Sequence, residues 1–177
     1  MAQSQPTPPA PSIEQLRTVV ELIETPVLAR VYAYVLHAGP TTVADLVEQV
    51  DVPQGTAYDY VRKLEGADLL TKTAEKRPYE YVAEDVSLTL SSDGQTRTIT
   101  PELIEAVARR TADDDIDLYI ERHGIDGLAT ALDYAHEYVD GTVNHRIATR
   151  ELDCSPLEAE VILQALEPVV LAYRDDE

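Results

Sequence analysis

GPTTVADLVEQVDVPQGTAYDYVRKLEG, residues 39–66, is the stretch whose punctuation decides the fold. Gly39-Pro40 ends whatever helix precedes it. Thr42 and Asp45 form a capping pattern that opens a short helix ending near Val50. Asp51-Val52-Pro53 is a tight turn, and a second helix starts near Gln54 and closes near Glu65 or Gly66. In that second helix Ala57, Val61 and Leu64 recur at spacings of four and three, which places them on one buried face. Gln54, Thr56, Tyr58, Asp59, Arg62 and Lys63 are left to the other faces.

Upstream, residues 12–24 read as a helix. Ser12 and Gln15 supply a capping pattern, and Ile13, Leu16, Val20 and Ile23 recur at helical spacing. Thr25-Pro26 restarts the chain, Thr25 as a cap and Pro26 at the first helical position, in a helix running to about His37. Downstream, strands near 69–74 and 79–84 form a hairpin turned through Glu75-Lys76-Arg77-Pro78. A second hairpin over 86–100 turns at Asp93-Gly94, a type I′ signal, and a two-residue loop there puts Leu88 opposite Ile99. From Thr100-Pro101 the pattern is helical, in segments near 101–111, 114–123, 125–140 and 142–151. Ser155-Pro156 opens a last helix with Leu157, Val161, Ala165 and Val169 as its apolar stripe and Pro168 as a kink or tightening. The expected fold class is therefore mainly α with two small β-hairpins (α+β). Its expected parts are a tail over 1–11 that is disordered because it holds four prolines, a reading domain over 12–85, the hairpin connector over 86–100 and a helical domain over 101–177.

Charge narrows the function. The chain has 33 acidic and 14 basic residues, a formal net charge of −19, and it has no Phe or Trp. Only three of the basic residues are Lys: Lys63, Lys72 and Lys76. High acidity with few lysines resembles the proteins of halophilic archaea, whose hydrated surfaces stay soluble where salt screens self-repulsion over ~3 Å at ~1 M. All three lysines nonetheless fall on the 54–65 helix or the first hairpin. Residues 60–80 hold five basic and four acidic residues, whereas residues 101–177 hold six basic and nineteen acidic. A polyanionic partner must therefore meet the first region.

Three helices and a hairpin within about sixty residues is the winged helix-turn-helix order. The helix near 42–50 braces the backbone, and the helix near 54–65 is narrow enough to enter a major groove ~12 Å wide. Gln54, Thr56 and Tyr58, near the start of the inserted helix, are the base-edge candidates. Arg62 and Lys63, with Lys72, Lys76 and Arg77 on the wing over 69–84, are the phosphate candidates. Tyr79 and Tyr81 share a face of the wing strand and are read as packing the wing on the core.

Gly39-Pro40-Thr41-Thr42-Val43-Ala44-Asp45-Leu46, Val52-Pro53, Tyr58 to Glu65 and Leu69-Leu70 resemble the archaeal TrmB-type regulators. Thr25-Pro26-Val27-Leu28-Ala29-Arg30-Val31 is similar to the opening helix of ArsR-type repressors. The resemblance covers roughly residues 20–85. It implies a dimeric, DNA-binding transcription regulator that represses or activates. Neither sugar sensing nor an ArsR metal site comes with it, since the C-terminal half does not resemble a sugar-binding domain. The expectation is a cytoplasmic homodimer on double-stranded DNA, with a small-molecule or protein effector left open. The rival is a winged-helix adaptor that contacts proteins through its acidic half and has no DNA affinity.

Other chemistries have little support in the sequence. The lone Cys154 allows no intrachain disulfide. No run approaches the ~20 apolar residues of a membrane span, and the first residues lack the basic start and apolar run of a signal peptide. His37, His123, His136, His145 and Cys154 lack the spacing of structural zinc sites; Asp133 with His136, one turn apart, is a two-ligand seed at most. Asp113-Asp114-Asp115 lacks the glycine and spacing of a calcium loop and reads as a helix cap. With no phosphate loop and no nucleophile elbow, neither a cofactor nor an enzyme activity is expected.

Overall fold

The computed structural model describes residues 10–174. Most of the expected tail over 1–11, and residues 175–177 of the helical half, lie outside the described residues. The order is α1 (Ile13–Glu24), α2 (Pro26–Ala38), α3 (Val43–Gln49), α4 (Gln54–Gly66), β1 (Leu70–Lys72) and β2 (Tyr81–Ala83). It continues through β3 (Leu88–Ser92), β4 (Gln95–Ile99), α5 (Pro101–Arg109), α6 (Asp114–Val139), α7 (His145–Leu152) and α8 (Pro156–Arg174). This is the expected class, mainly helical with two antiparallel two-stranded hairpins.

Local chemistry accounts for the helix ends. Ser12, Thr42, Thr100 and Ser155 each accept a bond from a first-turn amide. Thr42 and Asp45 complete a reciprocal capping box. Thr25 is different: it precedes Pro26 as expected, but its side chain makes no capping bond. Its ψ is 95°, against 157° to 163° at Ser12, Thr42 and Thr100, because its own amide is still bonded to Glu21 O at the end of α1. One residue closes α1 and opens α2. Gly39, at φ 75°, closes α2 in a backbone conformation that favours glycine.

The first hairpin is shorter than expected, three residues a side, and residues 73–80 loop between its strands. Tyr81 also exchanges two backbone bonds of 2.9 Å with Thr41, so the hairpin is anchored beside the start of α3. The second hairpin has the expected register, with Leu88 opposite Ile99 and Ser92 opposite Gln95 across Asp93-Gly94. Both turn residues have positive φ, 51° and 78°, as a type I′ turn requires.

The expected break between 123 and 125 is a kink inside α6 at Gly124, whose φ of 71° and ψ of −177° are non-helical. The apolar stripes read for the two end helices are only partly the buried faces: Val169 is in the core and Leu16 and Ile23 are half-buried, but the rest is displaced. In α1 the core takes Thr18, Val19 and Leu22, while Ile13 and Val20 are exposed. In α8 the core takes Ala159, Ile162, Leu163, Leu166, Val169 and Val170; Leu157 is 69% exposed, and Val161 and Ala165 are half-buried. Both helices carry apolar residues on more than one face, and periodicity alone does not say which face the chain covers. Pro168 sits inside α8.

Buried side chains form one continuous cluster from α1 to α8. α2 is central to it: Leu28, Ala29, Val31, Tyr32 and Val35 are almost wholly inaccessible. Tyr32 fixes the link between the hairpins, its hydroxyl donating to Glu84 O at 2.6 Å and accepting from Val86 N at 3.2 Å. Arg30 caps the C-terminal end of α3 by donating to Val50 O at 2.9 Å.

Candidate nucleic-acid interface

α2, α3 and α4 are followed by β1–β2, the element order expected of a winged helix-turn-helix. Ala57, Val61 and Leu64 bury one side of α4, which fixes the helix about its axis. The opposite side is open. Gln54, Tyr58, Asp59 and Arg62 are exposed and Thr56 is half-buried. Pro53 precedes α4 without a side-chain cap, so the first-turn amides of the helix are not taken up by a neighbouring side chain.

The predicted cations divide into two groups. Arg62 is 74% exposed; its nearest carboxylate, Asp59, is 3.8 Å away and equally exposed, a pairing that holds it weakly. Lys76 and Arg77 are exposed at the tip of the wing, and neither has an ion-pair partner among the described residues. Lys72 stands 3.8 Å from Glu65 and places its ammonium 4.3 Å over the ring of Tyr79. Lys63 lies apart from these: it is half-buried and ion-paired with Glu21 of α1.

Tyr79 packs against the core, as expected, and it also meets cations. Lys72 sits over its ring and the Arg77 guanidinium lies 5.8 Å from the ring centre. Between wing and α4 runs a groove of about 720 Å³, walled by Thr42 with Val43 and Ala44 of α3, Tyr58 and Arg62 of α4, and Arg77 to Tyr79 with Tyr81 of the wing. Burial, reinforced by the Glu65 carboxylate, pushes the Tyr81 phenol above its ordinary range, which keeps it a neutral hydrogen-bonding group. Sequence reading missed two members of this site. Thr41 anchors the wing through a pairing forty residues long-range, and Glu21 ties α1 to α4. Neither carries a local signal.

The helical half shows a different chemistry. Three histidines bridge helices to glutamates: His37 of α2 to Glu105 of α5 at 2.6 Å, His136 of α6 to Glu102 of α5 at 2.8 Å, and His123 of α6 to Glu158 of α8 at 2.9 Å. The His123 bond, helped by Arg122, holds Glu158 below the usual carboxylate range, while burial pushes Glu102 above it. No group of three or more metal-ligating side chains occurs among the described residues. No helix there is long and apolar enough to cross a membrane.

Residues 26–87 match the model of the family described as sugar-specific transcriptional regulator TrmB, and residues 110–175 match a family of unknown function, DUF7437. No curated protein and no solved structure matches the chain. The TrmB segment runs from the first residue of α2 through the wing, so it contains α4 and every predicted contact residue. The chain is thus similar, over its winged half, to a family of transcription regulators, which supports DNA binding in general terms.

Proposed function

We propose that the protein is a sequence-specific, DNA-binding transcription regulator and not an enzyme, acting as a homodimer in a salt-rich cytoplasm. The observation that carries this reading is the open face of α4. Gln54, Tyr58 and Arg62 stand uncovered by the chain's own helices, with Thr56 half-buried among them, beside a wing tip whose Lys76 and Arg77 have no ion-pair partner among the described residues. α4 enters the major groove with Gln54, Thr56 and Tyr58 toward base edges. Arg62, Lys72, Lys76 and Arg77 meet phosphates. Lys63 acts through Glu21, setting the angle between α1 and α4. With so few free cations the salt dependence is shallow compared with that of a basic repressor.

A two-fold dimer is required to set two recognition helices one DNA turn apart. The apolar strips left open on α1 (Ile13, Val20) and on α8 with α6 (Leu157, Leu118) are the surfaces proposed to meet a second copy. The acidic helical half, residues 101–177, is the dimerisation or signal-input part of this scheme.

The test is recovery of genomic DNA on the purified full chain at the native salt concentration, with the Arg62→Ala/Arg77→Ala variant in parallel. Discrete promoter fragments on the wild type, lost with the variant, are expected. Co-purifying protein with no enriched DNA is the outcome that replaces this reading with a winged-helix adaptor.

A further inference from the structure

The groove between α4 and the wing differs from the rest of the surface in what it lacks. In a chain with 33 acidic residues among 177, no Asp or Glu lines it. Four other cavities each have at least one carboxylate in the wall, such as Glu102 and Asp133, Glu158, Asp126, or Glu105. Here, beside residues 42–44, the walls are three phenol rings, a proline and two guanidiniums: Tyr58, Tyr79, Tyr81, Pro78, Arg62 and Arg77. Two carboxylates lie close by without lining it: Asp59, a weak partner 3.8 Å from Arg62, and Glu65, 3.8 Å from Lys72.

We propose that this groove takes a small planar aromatic anion, and that such a ligand competes with DNA for the face. The volume, about 720 Å³, lies within the range of small-molecule sites, ~300–1,000 Å³. Tyrosine rings and guanidinium planes favour a flat partner, which they can stack against or meet edge-on. Arg62 and Arg77 each offer a fork of donors that fits a carboxylate or phosphate, and neither is committed to a strong partner. A duplex phosphate and the anionic head of the ligand therefore call on the same two side chains. The ligand site stands on the groove alone; the competition rests on the DNA reading above.

The test uses the full chain and 2-naphthoate as probe, with uncharged 2-naphthalenemethanol as its isostere, by titration calorimetry at moderate and molar potassium chloride. Saturable binding of 2-naphthoate at one site is expected, with the neutral analogue at least about tenfold weaker. Arg62→Gln/Arg77→Gln should raise the Kd about tenfold or more, while Arg97→Gln, on the second hairpin, leaves it unchanged. Absence of saturable binding, or equal affinity for the neutral analogue, overturns the site. That comparison needs only the wild-type protein, so it holds even if a variant fails to fold. In the second arm, 2-naphthoate should release bound duplex DNA in proportion to its occupancy. Tight DNA binding with no 2-naphthoate binding refutes the ligand site and leaves the DNA reading intact. A bound ligand on a chain with no affinity for DNA has the opposite meaning, and a bound ligand that leaves the DNA in place refutes the competition.

Discussion

The two hairpins are close in sequence and opposite in construction. β3–β4 is joined by a two-residue turn, its register is regular, and its outer pairs are hydroxyls facing hydroxyls, Thr89 with Thr98 and Ser91 with Thr96. Its one arginine, Arg97, is directed to α6, where it meets Asp126 at 3.3 Å and Thr130 at 3.3 Å. β1–β2 has three residues a side, a loop over 73–80 and an anchor at Thr41, and it directs its cations outward around Tyr79. A regular ladder suits a hairpin that bears on its own protein. A short ladder with a long loop suits one that bears on something else, since the loop is free to follow a surface the chain does not supply.

The largest expected effect breaks that comparison outright. Arg62→Ala/Arg77→Ala should weaken DNA binding by about 100-fold or more, roughly 2.7 kcal/mol, whereas Arg97→Ala leaves it within about twofold. Fluorescence anisotropy on duplex DNA at fixed salt reads both, and equal losses would erase the distinction. Next in size is the support under the second hairpin. Gly124→Ala puts a side chain at φ 71°, ψ −177°, a region open essentially to glycine, and should cost about 1–3 kcal/mol in urea unfolding with DNA contacts unaltered. Tyr32→Phe removes the hydroxyl between the hairpins, leaves Val86 N–H without its acceptor, and should cost about 1–2 kcal/mol. In a thermal melt that is a fall of roughly 2–8 °C.

Two smaller effects sharpen the comparison. Tyr79→Leu frees Lys72 and Arg77 from their shared ring and should weaken DNA binding about three- to tenfold, while Tyr79→Phe keeps the ring face and most of the affinity. A purely structural role for Tyr79 would lower the melting temperature and leave the affinity of the folded protein unchanged. The smallest effect is on pH. Burial holds Glu102 above its ordinary range, so the native state keeps this proton more firmly than the unfolded chain. That contribution is complete below the unfolded value and is lost as pH rises through the folded one. Glu102→Gln should therefore raise the melting temperature slightly at neutral pH and lose that advantage in acid. Glu158 has the opposite sign. His123 holds it low, so its contribution is present above the unfolded value and fades as pH falls through the folded one.

What the sequence disclosed follows from the range of the forces involved. Capping at Ser12, Thr42 and Ser155, the inward triad of α4 and the register across Asp93-Gly94 rest on neighbours within a few residues, and all are read directly. The stripes of α1 and α8 were right only in part, Val169 inside but Ile13 and Leu157 outside, because both helices are apolar on two sides and the covering elements lie far away in sequence. The site divides in the same way. Arg62 and the wing tip were legible from charge against an acidic background. The pairing of Lys63 with Glu21, the stacking of Lys72 and Arg77 on Tyr79 and the tie from Thr41 to Tyr81 all need the chain to have folded back on itself.

The position of α2 has a practical consequence. It packs against α1, α4 and β2 as well as α5, and the apolar interior is continuous through it. A fragment cut after the wing would carry a bare oily flank where α5 had been, and would be expected to clump during purification. If the helical half does take a signal, the packed side chains of α2 are the shared interior through which α4 would feel it.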